Sequence, residues 1–356
     1  MSPSGVSGYA GINARVRVMY STLLSPQEMS GLCEAPDYLT LISLLKRTAW
    51  GPYLDRVNDK DLTPRRAVFQ IKTRLADAFS SVAYMAPKQA QLLLIQLFRF
   101  YEVGNLKAVL RGIIAGASWD RVRFVLFPPS SIFNIPAQAM MEAGNVSAAV
   151  ELLRGTPYYE TLSYAMKRYN TEQNLFPLEV ALDLSYWREL WQRVSGLSSQ
   201  DRAHAQRIIG SLVDMNNLMW AIRYRVYHHL SEVEVINYTL PFGYHVRDSE
   251  IRTIAAGGDI AQVVKRIYPD LVDVDTLVQE PWNRLPELEL QLKRHVMKQC
   301  KAAFVGDPFQ AGVPLGYLVL SDFEIQDLTV LIEAKSSQTP VEAYQPYLLC
   351  DCASKR

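Results

Sequence analysis

The sequence predicts an all-α protein made of three similar helical modules, and three observations carry that prediction. Apolar residues recur at helical spacing through most of the 356 residues, while strand-like alternation is confined to the short run Val122 to Phe127. One helical pattern occurs three times at about a third of the chain length, which marks duplicated structural units. Pro128-Pro129, Pro241-Phe242-Gly243, Gly257-Gly258 and Pro281 punctuate the helical runs as breakers.

The repeated pattern has five columns. An acid opens it at Glu102, Asp214 and Glu324, with copies 112 and 110 residues apart (214−102 and 324−214). Three residues on stands Asn105, Asn217 or Asp327, followed directly by Leu106, Leu218 or Leu328. Leu110, Ile222 and Ile332 come next, and a second acid, Asp120, Glu232 or Glu342, falls fifteen residues past the Asn or Asp. A degenerate fourth copy opens the chain at Asn13, with Glu28 fifteen residues on.

In chain order, residues 1–8 are rich in Ser, Gly and Pro and read as a flexible N-terminus. Module 1 is expected over 9–104, module 2 over 105–216 and module 3 over 217–335, with a closing helix and tail over 336–356. Long helices are predicted at Arg65–Tyr84, Gln89–Ala115, Leu175–Val194, Arg202–His228, Arg284–Phe304 and Leu315–Lys335. Ser25-Pro26-Gln27-Glu28 and Thr339-Pro340-Val341-Glu342 each read as an N-cap, a proline at the first helical position and a glutamate at the third. Ser231 to Glu234 reads as a capping box in a neighbouring register. Asp37, Asn145 and Asp259 follow small residues and read as caps of further short helices. The three modules are expected to superpose by rotations near 120°.

Composition narrows the function. Lys and Arg number 37 against 36 Asp and Glu, a net charge of +1, so no global attraction to nucleic acid or anionic lipid follows. No run approaches the roughly 20 apolar residues of a membrane span. The first residues lack the apolar stretch of a secretory signal. Four cysteines, two of them near the C-terminus, point to a reducing cytoplasm and not to a disulfide framework.

On a helix, positions three and four apart share a face, so each repeat acid lies above its Asn or Asp. Leu106 with Leu110, Leu218 with Ile222 and Leu328 with Ile332 form an apolar ridge alongside. Arg111 and Arg223 occupy one repeat position, and Glu333 replaces them in the third copy. An acid above an amide beside such a ridge suits helix–helix contacts in which the amide bonds neighbouring backbone. The other reading is a catalytic or metal-binding ring of acids, which would lack the usual His or Cys ligands. His228-His229 are about 100° apart on a helix and cannot chelate together. Asp201-Arg202-Ala203-His204 is half of a carboxylate–histidine motif, Cys350-Asp351-Cys352 offers two thiols in a tail, and Asp270, Asp273 and Asp275 read as a solvated turn. No phosphate-cradling glycine loop is present. Neither a cofactor, a metal nor bound nucleotide is expected, and the chain reads as non-enzymatic.

Pro314-Leu315-Gly316-Tyr317-Leu318, with Glu324-Ile325, Asp327-Leu328, Ile332 and Ala334-Lys335, resembles the C-terminal signature of the C subunit of V-type (A/V-type) ATP synthases, the prokaryotic counterpart of the eukaryotic d subunit. Pro340-Val341-Glu342 fits the same signature. Tyr9 with Asn13 to Arg17, and Glu102 with Asn105-Leu106-Lys107 and Arg111-Gly112, resemble the family's first and second signature helices. Departures are Asp327, where the family often has Asn, and the cysteine-containing tail. The resemblance implies a funnel of three helical subdomains with pseudo-threefold symmetry around a central cavity. It implies a cytoplasmic element of the central stalk, peripherally attached to the membrane through the proteolipid ring. Its partners would be the rotor stalk subunits and that ring, and its task to transmit torque between ATP chemistry and translocation of H+ or Na+. A helical-repeat scaffold of another complex and an all-α enzyme with a carboxylate site are the competing readings.

Overall fold

Cap chemistry starts the helices where the sequence provides it. Ser25 accepts from the Glu28 N–H while the Glu28 carboxylate accepts from the Ser25 N–H at 2.8 Å, a complete capping box. Asp37, Asn145 and Asp259 accept from the N–H groups of Thr40, Ala148 and Gln262. Ser231 and Glu234 form a second capping box. The computed structural model describes residues 6–132, 135–279 and 281–350.

The chain opens with α1 (Val6–Tyr20), α2 (Pro26–Glu34), α3 (Tyr38–Leu45) and the single turn α4 (Gly51–Leu54). The long pair α5 (Pro64–Met85) and α6 (Lys88–Ile114) is followed by α7 (Trp119–Val122), α8 (Ala137–Glu142), α9 (Val146–Glu151) and α10 (Tyr159–Glu172). A second long pair, α11 (Phe176–Ser195) and α12 (Ser199–Val226), precedes α13 (Glu232–Asn237), α14 (Asp248–Ala255), α15 (Ile260–Ile267) and α16 (Val274–Gln279). The third pair, α17 (Pro281–Ala302) and α18 (Gly312–Ser336), precedes α19 (Val341–Tyr344). The described residues contain no strand, so the chain is all-α. None of these helices is long and apolar enough to cross a membrane.

The six long helices match those expected from periodicity. The strand-like run Val122 to Phe127 does not form a strand. Its start closes α7, and the Phe127 N–H is taken by the Asn105 side chain, not by a ladder. Thr339 differs from its expected role as a cap. Its N–H closes α18 on the Ala334 carbonyl at 2.9 Å, which leaves Pro340 as the N-cap of α19.

Two compact units emerge: residues 1–48 with 194–356, and residues 49–193. In the first, α18 packs against α1, α3, α12 and α17. It is apolar almost all round, from Leu315 and Leu318 to Leu331 and Ile332, which is the signature of a central buried helix. In the second, α6 packs on α5 and carries α7, α8 and α9, with Leu93, Phe98, Leu106 and Leu110 fully buried. The boundaries at 104/105 and 216/217 in the repeat register fall inside α6 and α12, because that register counts from the Asn and not from a chain break.

Each repeated long helix ends the same way. Gly116, His229 and Gln338 have φ of 60°, 50° and 53°. The next N–H in each case reaches back five or six residues: Ala117 to Gly112, Leu230 to Tyr224 and Thr339 to Ala334. This is a left-handed stop that satisfies the last carbonyls of the helix. His228 and His229 therefore follow the end of α12 instead of lying on it. Glycine adopts this conformation without steric penalty, whereas Gln338 does not. Gln338→Gly is expected to stabilise the protein by about 0.5–1 kcal/mol in thermal unfolding; a loss of stability would contradict the assignment of the stop.

Candidate functional site

The repeated Asn and Asp side chains clasp the main chain beginning 22 or 23 residues further on. Asn105 donates to the Phe127 carbonyl at 3.0 Å and accepts from the Phe127 N–H at 2.7 Å. Asn217 donates to the carbonyls of Leu240 (3.1 Å) and Phe242 (3.0 Å) and accepts from the Leu240 N–H at 2.9 Å. Asp327 has no donor to offer and accepts twice, from the N–H groups of Leu349 (2.7 Å) and Cys350 (2.9 Å). All three side chains are buried. The amides thus bond a loop, not a second helix. A carboxylate replaces the amide where both facing groups are donors, and burial raises the Asp327 carboxyl above its usual range despite those two N–H groups.

The acid one turn earlier anchors a second segment. Asp214, with no exposed surface, accepts from the N–H groups of Tyr244 (2.7 Å), His245 (2.7 Å) and Val246 (3.1 Å), with the Tyr268 hydroxyl at 3.5 Å. Glu102 accepts from the Tyr158 hydroxyl, and Glu324 from the Leu24 N–H at 2.7 Å. Burial raises Asp214 despite its three backbone donors. Burial pushes Glu102 up to about 7, against the Tyr158 hydrogen bond and the Arg99 charge. Leu106, Leu110, Leu218, Ile222, Leu328 and Ile332 form the buried ridge beside these groups.

Arg111 makes a two-pronged bond to Glu179, at 2.6 and 2.7 Å. Arg223 pairs with Glu289, which Lys293 also approaches at 3.1 Å. Burial opposes the Glu289 charge, but Lys293 and Arg223 outweigh it and hold the carboxyl below its usual range. Glu333, at the equivalent third position, is exposed. The acids fifteen residues past the clasp, Glu28, Asp120, Glu232 and Glu342, are all exposed in the first turns of α2, α7, α13 and α19. They serve helix starts and do not join the buried acids.

Asn13 departs from the pattern. Its amide donates to the Pro308 carbonyl, and its Oδ1 is buried without a partner, so the degenerate copy does not clasp its own chain 22 residues on. Asp201 accepts from the Ala311 N–H at 2.8 Å and from Tyr9, and Asp275 pairs with Lys265. Among the described residues no three His, Cys, Asp or Glu side chains come together as a metal-ligand set. Asp351 and Cys352 of the tail motif lie outside the described residues. Cys300 and Cys350 are free thiols.

Sequence reasoning missed the partners. Tyr158 and Tyr268 stand 110 residues apart, as do Glu179 and Glu289 (268−158 and 289−179). Both pairs fall two residues short of the 112-residue step between the first two copies, so a search of the repeat that allowed a two-residue deletion would have found them.

A family model described as ATP synthase (C/AC39) subunit matches residues 12–347. The C subunit of the A-type ATP synthase of Methanocaldococcus jannaschii is 23% identical over 348 residues, covering 96% of this chain and 86% of its own length. That of Methanothermobacter thermautotrophicus is 22% identical over 332 residues, 92% and 84%. The Pyrococcus horikoshii protein of the same description is 24% identical over 349 residues, 94% and 89%. With the clasped long helix recurring through a match of this length, the chain belongs to the ATP synthase (C/AC39) subunit family.

Proposed function

We propose that the protein is the non-catalytic C subunit of a V/A-type rotary ATPase, a cytoplasmic element that links the rotor stalk to the membrane proteolipid ring and transmits torque. The observation that carries this reading is the family match across residues 12–347. The internal chemistry is consistent with a mechanical part. The three repeat acids and their Asn or Asp neighbours are spent on bonds that fix other segments of the chain to long helices. Three such clasped modules, related by rotations near 120° around a central cavity, would give the funnel that a stalk enters.

The deciding assay compares ATP hydrolysis with ion uptake in vesicles reconstituted with and without this subunit. Hydrolysis is expected to continue without it while ion uptake is lost; uptake undiminished in its absence would exclude the coupling role. Attachment to ring and stalk is expected through polar rims around apolar centres. Raising ionic strength to about 1 M, where the screening length is about 3 Å, should release the subunit before it unfolds. Retention at high salt up to the melting temperature would argue for a wholly apolar contact.

A further inference from the structure

A cavity of about 550 Å³ opens among α17, α18 and the turn between α1 and α2, within the unit formed by residues 1–48 and 194–356. Its walls are mainly apolar, with Leu24, Met29, Met297, Leu320, Phe323 and Leu349. Protein interiors rarely leave voids much larger than a water molecule. Small-molecule sites, by contrast, run to about 300–1,000 Å³, with apolar walls and a few placed polar groups. Three charged side chains complete the lining: Glu324, Asp327 and Lys301.

Glu324 and Asp327 stand three residues apart on one face of α18. Both Asp327 oxygens are taken by the N–H groups of Leu349 and Cys350, so its charge is met from the backbone. Glu324 is held by the Leu24 N–H at 2.7 Å. The earlier acids of its column meet a tyrosine, Tyr158 for Glu102 and Tyr268 for Asp214, whereas Glu324 borders the cavity. A carboxylate accepts about four hydrogen bonds, so Glu324 can take a ligand donor beside those it already has. Lys301, in the last turn of α17, is exposed and has no ion pair within 4.0 Å among the described residues. A ligand with only an anionic head would set its apolar body against Glu324, at a desolvation cost. One with only a cationic head would leave Lys301 unmatched. A molecule carrying both charges beside an apolar body suits the whole lining.

We propose that this cavity binds a small zwitterion of the α-amino acid class, its ammonium on Glu324, its carboxylate on Lys301 and an apolar side chain among Met29, Met297 and Phe323. The flexible stem of Lys301 lets its ammonium follow the ligand carboxylate. The site does not depend on the role assigned to the subunit.

Methyl NMR of the methionines in the full-length protein tests it, because Met29 and Met297 line the cavity and the other eight of the ten do not. L-leucine and L-phenylalanine are added in turn to about 10 mM. At least one is expected to shift both cavity methyls saturably while the others stay in place. Removing either charged group from the ligand should weaken binding about tenfold or more. The probes are isoamylamine and isocaproate for leucine, phenethylamine and hydrocinnamate for phenylalanine. Lys301→Met keeps the apolar stem at an exposed position, so it should leave the unfolding midpoint unchanged and weaken binding by a similar factor. The proposal is overturned if neither amino acid moves the two methyls, if an analogue lacking one charge binds as tightly as its parent, or if Lys301→Met binds like the unaltered protein.

Discussion

Asp214→Ala is expected to abolish stable folding of the unit formed by residues 1–48 and 194–356. The change orphans the N–H groups of Tyr244, His245 and Val246 and loosens Tyr268. An unsatisfied buried donor costs about 1–3 kcal/mol. Tyr244 and His245 are exposed residues whose N–H groups water can reach in part, so a total of about 4–6 kcal/mol is expected, close to the whole stability of an ordinary domain. Asp214→Asn keeps one acceptor oxygen and should recover about half of that. Gly243 shows how tightly the carboxylate is enclosed. A Cβ there would lie 2.4 Å from the Asp214 Oδ1 and 2.2 Å from the Val246 carbonyl, neither of which can yield, so Gly243→Ala should cost about 3 kcal/mol. Since both changes break one cluster, the double variant should lose less than the sum. Urea unfolding of the single variants decides the matter; an Asp214→Ala midpoint close to wild type would remove the carboxylate from the structural account.

The same cluster shows what a sequence can and cannot reveal. The column of Glu102, Asp214 and Glu324 was visible because duplication copies residues at a fixed period. The long helices were visible because their apolar spacing is a local property. What each acid bonds was not visible. Its partner lies 30 to 56 residues away for Asp214 and Glu102, and on the far side of the chain, at Leu24, for Glu324. Backbone N–H partners such as Val246 leave no mark on residue identity at all. Tyr158 and Tyr268 are the exception, since a phenol is a chosen side chain and its recurrence could be read. Thr339 misled for a similar reason. Threonine before proline is a good cap by type, but Gln338 in the left-handed region turns the Thr339 N–H back onto α18, and that turn is set by backbone geometry. The strand-like Val122 to Phe127 failed because Asn105, seventeen residues earlier at the nearest, captures its last N–H.

Exchanging the clasp residues should expose the logic of Asn against Asp most sharply. Asn217 has no exposed surface and turns its amide to two carbonyls. Asn217→Asp places a carboxylate oxygen against both, with no cation bonded to it, so the group must ionise at a penalty or keep its proton. A loss of about 3–5 kcal/mol is expected at pH 7, the range found when a buried charge is left uncompensated. The folded-state carboxyl would titrate above its unfolded value, so the added proton favours the fold: the loss should shrink as pH falls toward about 4. Asp327→Asn runs the opposite way. It removes a charge that burial already disfavours but leaves one of two N–H groups, Leu349 or Cys350, facing an amide donor. The two effects oppose each other, and a net loss of about 1–2 kcal/mol is expected. Thermal unfolding of both variants across pH 5 to 8 separates the outcomes. If Asn217→Asp proves the milder change, or shows no recovery at low pH, then the side-chain type at this column is not set by whether the facing backbone groups donate or accept.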